Sequence, residues 1–357
     1  MPPTDFYPAD YLTARQRLRD AAGRFGWMTA VHPITARGPG GGELTLDVFT
    51  SPRPAPATLI LSSGVHGVEG PFGSAVQLFA LNQWGNSPPV RVVLVHAVNP
   101  FGFAHRRRFN EDNVDLNRNF LLPDQRYTGS PPRYADLDPL LNPPCPPRRI
   151  DPFPLHAVWK VLKYGLPTLK QAIAGGQYDH PRGIFFGGHG PAESVRICGE
   201  QLPHWFGESG VVCHLDFHTG LGPWGSFKLL LDIQPTEQQR QWLTDRFGSD
   251  SFEVCHADGV AYDARGGFGP WCDARAQQSA GREYLFACAE FGTYGPITVL
   301  TAVKRENQAH HWGAAGSDAT ERAKRRLAEV FVPASAAWRS RALEQAWALV
   351  DSAARGM

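Results

Sequence analysis

The segment LILSSGVHGVEG places a histidine and a glutamate three residues apart, at His66 and Glu69. An imidazole and a carboxylate together suit zinc, which binds nitrogen and oxygen ligands. The pair follows an apolar run typical of a strand, where Gly64 permits a turn and Gly67 lets the backbone pass close to a bound ion. Taken alone, the pair fits a surface salt bridge better than a metal site.

A second candidate lies in GVVCHLDFHTGLG, where His214, Asp216 and His218 share one face of a predicted strand because side chains alternate along a strand. His218 stands at the strand end, where ligands are expected in α/β proteins, whereas His214 lies deeper and is better explained as a core residue. A helical two-histidine zinc motif would need glutamate at position 215, where the chain has Leu215.

A third and more specific segment is NPFGFAHRRRFNEDNVDLNRNF, residues Asn99–Phe120. It begins with an Asn-Pro-x-Gly turn, since proline fixes φ and glycine permits a positive φ. Its polar residues are Arg106, Arg107, Arg108, Asn110, Asn113, Asp115, Asn117 and Arg118. A solvated basic loop would explain them, and so would a clamp in which arginine grips a substrate carboxylate and asparagine adds a neutral donor.

Glu290, in YLFACAEFGTYG, ends a predicted strand that is apolar on both faces. A partly buried carboxylate without a partner is costly, so this one needs either an arginine partner or a function. Facing a water molecule at a metal ion, Glu290 would act as a general base. The residues alone leave both explanations open.

The elements that position these residues follow from apolar periodicity. The predicted strands are Thr58–Ser62, Val90–Ala97, Val211–Phe217, Phe227–Ile233 and Tyr284–Phe291. The predicted helices are Ala9–Ala22, Phe72–Asn82, Leu155–Ala174, Glu237–Phe247, Thr320–Val330 and Ala336–Ala353. Strands interleaved with helices predict an α/β fold with a mixed, largely parallel central sheet flanked by helices.

The stretch Leu122–Pro154 is dense in proline and charge, which opposes both helix and strand hydrogen bonds. Candidate residues lie on both sides of it. We therefore predict one metallohydrolase domain over residues 1–357 with a Pro-rich insertion at about 122–154, rather than two domains joined by a linker. Long ordered loops often face substrate.

The 357 residues carry 35 Lys+Arg and 34 Asp+Glu, a net charge of +1, which argues against nucleic-acid and membrane-surface partners. No apolar run reaches the length of a membrane-spanning helix, and the N-terminus lacks the pattern of a secretory signal. A cytoplasmic protein is therefore expected. The six cysteines contain no Cys-x-x-Cys pair, which argues against a structural zinc site and a disulfide framework.

Taken in chain order, these motifs resemble the zinc carboxypeptidase superfamily, and most closely its uncharacterised bacterial branch. The residues that carry the resemblance are His66, Glu69, Asn99-Pro-x-Gly102, Arg108, Asp115-Leu-Asn117-Arg118, His218 and Glu290. The resemblance runs from about residue 58 to 295, and the Pro-rich insertion is not part of the common core. It implies a zinc-carboxypeptidase-like fold of the phosphorylase/hydrolase-like type.

The resemblance also implies a metal centre and its chemistry. His66, Glu69 and His218 would bind one zinc ion per chain and leave an open position for water. Asp115 would orient the first histidine and fix its tautomer. Glu290 would take a proton from the water and pass it to the leaving amine.

Further roles implied by the resemblance concern the substrate. Arg108, in preference to Arg107, would stabilise the oxyanion. Asn117 and Arg118 would clamp a terminal carboxylate. Tyr262 is a candidate for the mobile tyrosine of the family.

We therefore expect a zinc metallopeptidase, a hydrolase of an amide bond beside a free carboxylate in a peptide or small molecule. The alternative is a deacylase or amidohydrolase of small N-acyl amino acids, favoured if the insertion covers the metal. A non-catalytic peptide-end binding module is a third hypothesis, disfavoured because binding alone needs no base. The pocket floor is expected from residues 259–281, and the oligomeric state stays open.

Overall fold

The structure, a computed structural model, describes residues 2–52, 54–255, 264–279 and 281–357. Within these ranges eight strands form one mixed sheet, in the order β1-β2-β4-β3-β5-β8-β6-β7. The strands are β1 (Met28–Arg37), β2 (Glu43–Thr50), β3 (Ala57–Ser63), β4 (Arg91–His96), β5 (Val211–Thr219), β6 (Phe227–Leu231), β7 (Phe252–Val254) and β8 (Glu283–Phe291). The predicted α/β fold with a mixed sheet is confirmed.

The centre of the sheet is parallel and its margins are largely antiparallel. Strands β4, β3, β5 and β8 run parallel to one another. Strand β1 is antiparallel to β2, β2 to β4, and β6 to β8. Because β3 is buried along its whole length, its run of apolar residues continues without polar alternation, as expected for a strand covered on both faces. The carboxyl ends of β3, β5 and β8 therefore meet at one edge of the sheet.

Helices cover both faces of this sheet. The helices among the described residues are α1 (Tyr11–Arg24), α2 (Gly70–Trp84), α3 (Pro100–His105), α4 (Tyr134–Leu141), α5 (Phe153–Tyr164), α6 (Leu166–Ala174), α7 (Glu193–Phe206), α8 (Glu237–Phe247), α9 (Phe268–Ala276), α10 (Pro296–Trp312), α11 (Asp318–Phe331) and α12 (Ala336–Arg355). Leu59 and Leu61 of β3 face a core shared with α2 and α12. Ile60, between them, faces a second core shared with α7 and α9. Period-two alternation thus divides β3 between two cores.

The five predicted strands are all present, with boundaries shifted by a few residues. Strands β1, β2 and the three-residue β7 were not predicted. Most of β1 is exposed, so the apolar alternation that marks a half-buried strand is lacking there. The prediction of one helix over Leu155–Ala174 was wrong, because the chain breaks at Gly165, whose φ of 80° ends α5 and begins α6.

The predicted absence of helix from the Pro-rich insertion was also wrong. Helix α4 lies inside it and contains Pro139. Tyr134, Leu137 and Leu141 on this helix are buried, so a local apolar face outweighs the proline. Through the ranges that the structure describes, no helix is both long and apolar enough to cross a lipid bilayer.

Candidate active site

His66, Glu69 and His218 come together where β3 and β5 end. The two strands are parallel neighbours in which Ser63 pairs with Phe217, so the loop after β3 lies beside the last residues of β5. Glu69 Oε1 is 2.9 Å from His66 Nδ1, and Glu69 Oε2 is 3.1 Å from His218 Nδ1. All three side chains are buried, and their candidate ligand atoms lie within 4.8 Å of one another.

Close backbone packing holds the His66 loop in place. Gly64 has a φ of 68°, which confirms its predicted turn. Gly67 approaches Gly102 so closely that a Cβ would lie 2.1 Å from the Gly102 carbonyl carbon. Glycine at 67 is thus required by the close approach of the neighbouring helix α3. Asn99 Oδ1 accepts from the Gly102 amide at 2.8 Å and caps that helix.

Asp115 and Arg108 contact the far side of the first histidine. Asp115 Oδ1 lies 3.2 Å from His66 Nε2, which places His66 Nδ1 toward Glu69 and His218. Arg108 Nε donates to Asp115 Oδ2 at 2.8 Å, and Arg108 Nη2 lies 2.7 Å from His66 Nε2. A carboxylate behind a metal-ligating histidine fixes its tautomer and orientation. Asp115 therefore lies where the sequence predicts an orienting group.

The second histidine has a matching carboxylate, which sequence reasoning did not assign. His218 Nε2 donates to Asp216 Oδ2 at 2.5 Å. A buried chain of hydrogen bonds continues from Asp216. Ser62 donates to Asp216 Oδ1 at 2.6 Å, His214 Nε2 lies 2.7 Å from Ser62 Oγ, and the Tyr284 hydroxyl lies 2.8 Å from His214 Nδ1. In this chain of hydrogen bonds, His214 and His218 each satisfy their bonds with a single tautomer, the one that carries its hydrogen on Nε2.

The donor set of the triad fits a divalent cation. His66 Nδ1 and His218 Nδ1 lie 3.2 Å apart beside the Glu69 carboxylate, while the Nε2 atoms of the two rings contact Asp115 and Asp216. Burial opposes ionisation of Glu69, but the two imidazoles lower its pKa to about 2. Two imidazole nitrogens and one carboxylate oxygen converge here, and a bound cation would take their electron pairs in place of protons. This is the ligand chemistry of a catalytic zinc site.

Charges around the triad are balanced by its neighbours. Although burial opposes it, the Asp216 carboxylate raises the pKa of His218 well above its usual range. The Asp115 carboxyl is also fully buried, and the Arg108 guanidinium holds its pKa well below the usual range. The predominant charge at the centre is therefore negative, which favours a cation.

Glu290 is a further carboxylate beside the triad, within 4.8 Å of His218. It pairs in register with His218 across parallel strands, so the two side chains project from the same edge of the sheet. The Leu221 amide donates to Glu290 Oε1 at 2.9 Å. Burial, together with the charge of Glu69, raises the pKa of Glu290 to about 8. A carboxylate held in this way can accept and release a proton close to the triad.

Arg107 and Arg108 point in opposite directions. The Arg107 guanidinium is buried away from the triad, where Nε donates to Glu306 Oε1 at 2.9 Å. Arg108 reaches the triad and lines the adjoining cavity. Of the two adjacent arginines, Arg108 is thus the one beside the candidate metal ligands.

The predicted clamp residues lie outside the lining of this cavity. Arg118 is buried and donates through Nε to the Ala174 carbonyl at 2.8 Å. Asn117 Oδ1 accepts from the Phe268 amide at 2.9 Å, at the start of α9. The ring of Phe185 lies 5.2 Å from the Arg108 guanidinium and 5.9 Å from that of Arg118. Tyr262 lies outside the described residues.

A cavity of about 450 Å³ opens onto the triad. Its polar end is formed by His66, Glu69, Arg108 and Glu290. The apolar walls come from α4, α5, α6 and α10, so the Pro-rich insertion does face the site. The prediction of a floor from residues 259–281 was wrong for the described part of that range, 264–279, which contributes nothing to the lining.

Sequence reasoning missed Asp216 as a partner of His218, and Phe185 as a neighbour of two arginines. The shared strand face of Asp216 and His218 was a signal for the first. No local pattern marks Phe185, whose φ of 58° is unusual for a bulky residue. Leu137, Leu140 and Leu141 were the signal that the insertion holds an apolar helix face.

One family model and several solved structures match this chain. A family model described as "Protein of unknown function (DUF2817)" matches residues 7–345. No curated protein matches the sequence. Murein-tripeptide amidase MpaA from Escherichia coli O157 is 20% identical, with 84% of this chain and 98% of that chain covered and a TM-score of 0.41.

Two carboxypeptidase-related structures are also similar. Bovine thrombin-activatable fibrinolysis inhibitor is 11% identical, with 98% of this chain and 97% of that chain covered and a TM-score of 0.49. Carboxypeptidase A from Helicoverpa armigera is 13% identical, with 90% and 73% covered and a TM-score of 0.45. At such identities the similarity concerns the fold alone.

Proposed function

This chain belongs to the DUF2817 family, and we propose that it is a zinc-dependent hydrolase of amide bonds. The observation that carries the proposal is the convergence of His66 Nδ1, His218 Nδ1 and the Glu69 carboxylate beside a second carboxylate, Glu290. Three ligands and a separate base serve hydrolysis, whereas binding alone needs no base. This favours an enzyme over a peptide-end binding module.

The residues divide the reaction between them. A zinc ion held by His66, Glu69 and His218 would lower the pKa of a water molecule and polarise the scissile carbonyl. Glu290 takes the proton from the attacking water and delivers it to the leaving amine. Arg108, which is buried and already oriented by Asp115, donates hydrogen bonds to the oxyanion as charge develops. Burial strengthens each of these interactions because little water competes.

We place a free carboxylate next to the scissile bond, recognised by Arg118 with Asn117. Arg118 presents a planar guanidinium held by Ala174 and packed near Phe185, and a guanidinium grips a carboxylate in two places. Two versions of the activity share this requirement: a carboxypeptidase that removes the last residue of a peptide, and a deacylase of N-acyl amino acids. The walls that α4 and α5 build beside the triad favour the deacylase, because they limit the room for a long peptide.

A substrate screen tests the proposal. Purified protein is incubated with N-acyl amino acids and with peptides that have free or amidated C-termini, in the presence or absence of a chelator. We expect hydrolysis of free-carboxylate substrates that the chelator abolishes and added zinc restores. Hydrolysis that persists after complete metal removal would contradict the metal-dependent mechanism, and equal rates on amidated substrates would contradict the carboxylate requirement.

A further inference from the structure

The walls of the cavity beside the triad are almost wholly apolar. The apolar lining comprises Leu137, Leu140, Leu141, Phe153, Ala157, Val161, Leu169, Ile173, Ala174, Phe185, Leu221, Pro296, Ile297, Val299, Leu300, Val303 and Phe331. Protein interiors are packed with few voids larger than a water molecule, so an apolar space of about 450 Å³ is a binding feature and not a packing defect. Apolar cavities of this kind take up apolar ligands.

The charged groups at this cavity do not suit a carboxylate. The acids that line it, Glu69 and Glu290, would repel an anion. The lining cations among the described residues are Arg108, which is bonded to Asp115, and Lys160. The Lys160 ammonium lies beside aromatic rings, 5.4 Å from that of Tyr164 and 5.6 Å from that of Trp159, a ring that is half exposed. A free carboxylate placed deep in this space would lose its hydration without a partner.

From this distribution we infer that the cavity binds an apolar acyl chain, and that the substrates are amino acids N-acylated by medium-length aliphatic groups. The inference rests on the proposed function and specifies its substrate. The acyl side of an N-acyl amino acid carries no charge, whereas its amine side carries the carboxylate. The acyl chain therefore enters the space between α4–α6 and α10, and the carbonyl carbon stays at the triad.

Chain length is the first variable of the test. N-acetyl-, N-hexanoyl- and N-decanoyl-alanine are compared for KM and kcat. Each methylene buried in an apolar site strengthens binding roughly fourfold until the cavity is filled. We expect KM to fall at least tenfold from acetyl to decanoyl. In a matched series the acetyl group is fixed and the amino acid is alanine, valine or leucine, and KM should change less across this series than across the acyl series. A larger change in KM across the amino-acid series would overturn the assignment of the cavity to the acyl side.

Two substitutions test the cavity itself. Leu300→Trp on α10 and Leu140→Trp on α4 each place a large side chain into the space from a different wall. Both should lower the decanoyl-to-acetyl ratio of kcat/KM at least tenfold. Leu162→Trp is the matched control because Leu162 lies on α5 but is 82% exposed and is not part of the lining. Circular dichroism establishes that each variant is folded, and a ratio unchanged in both folded variants would overturn the inference.

Binding without turnover separates this inference from the proposed function. Equilibrium dialysis of N-decanoyl- and N-acetyl-alanine against the Glu290→Gln variant measures affinity alone. Tighter binding of the decanoyl compound by at least tenfold supports the acyl site even if no amide is ever hydrolysed. Metal-dependent hydrolysis of N-acetyl-alanine with no effect of chain length on affinity or KM leaves the proposed function standing and overturns the acyl site.

Discussion

His218 and Glu290 are partners in register on two parallel strands, β5 and β8, whose carboxyl ends lie side by side. Their side chains therefore project from the sheet at the same position along the strands, and their candidate ligand atoms lie within 4.8 Å of each other. One residue belongs to the candidate metal triad and the other is the candidate base. Backbone pairing, which is rigid, thus sets the distance between metal ligand and proton acceptor.

Metal content is the first expected outcome. Purified protein should contain about one zinc ion per chain, since His66, Glu69 and His218 form one three-ligand site. His66→Ala and His218→Ala should each lose the metal because a three-ligand site tolerates no vacancy. Elemental analysis after dialysis measures this. The exposed His189 is the control, and His189→Ala should retain zinc. Zinc retained by both triad variants would place the metal elsewhere.

Replacement of the base should separate metal binding from turnover. Glu290→Gln keeps the size of the side chain and can still accept from the Leu221 amide, so the fold and the zinc content should not change. The rate constant kcat should fall by about 10²–10⁴-fold, the range that a general base contributes. Steady-state kinetics and zinc analysis on one preparation are needed. Near-normal turnover in this variant would rule out Glu290 as the base.

The adjacent arginines should give opposite phenotypes. Arg108→Ala should lower kcat by about 10²–10³-fold, as loss of an oxyanion donor does, with a smaller effect on KM. Arg107→Ala removes the closer of the two cations that pair with the buried Glu306, leaving Lys324 at 3.6 Å, and should lower the free energy of unfolding by roughly 3 kcal/mol. Kinetics and urea unfolding on both variants test the pair. Similar catalytic loss in both would mean that the two arginines do not have separate roles.

Arg118 should act on substrates that carry a free carboxylate. Arg118→Ala should raise KM for these substrates by at least tenfold, since charge-assisted hydrogen bonds to a carboxylate are lost. Because Arg118 also bonds to the Ala174 carbonyl, Arg118→Lys serves as a comparison that keeps the charge but not the fork. An equal loss on amidated substrates would indicate that Arg118 supports the fold and does not recognise the carboxylate.

Acid should destabilise the protein through the buried histidine His96. His96 is buried beside Ser74, and burial lowers its pKa to about 4. The unfolded chain binds a proton at this histidine below pH ~6.5, but the folded chain does not until about pH 4. Stability from this residue is therefore present above pH ~6.5 and falls by about 3 kcal/mol as the pH drops to about 4.

The His96→Gln variant measures this contribution. Urea unfolding between pH 7 and pH 4 should show a shallower loss of stability than in the unaltered protein. His204, which is exposed, provides the matched control, and His204→Gln should keep the original pH dependence. If the free energy of unfolding falls equally with pH in the unaltered protein and in both variants, His96 does not contribute to acid sensitivity.

The sequence by itself determined the parallel centre of the sheet and the residues at its edge. β3 and β8 are mostly apolar runs, and β5 combines apolar residues with His214, Asp216 and His218 on one face, a pattern typical of strands at the buried centre of a sheet. His66, Glu69, His218 and Glu290 stand at or just beyond the ends of these strands, so their convergence follows from parallel pairing. Local patterns suffice here because strand direction and period decide the outcome.

Only the tertiary structure decided which residues from distant parts of the chain come into contact. Arg107 and Arg108 are neighbours in sequence, but a left-handed residue at Arg106 sends one to Glu306 and the other to the triad. The bond of Ser62 to Asp216 spans 154 positions. The apolar walls of the cavity combine the insertion with α10, more than 140 positions later in the chain. Contacts at such separations depend on packing between elements, which no local periodicity encodes.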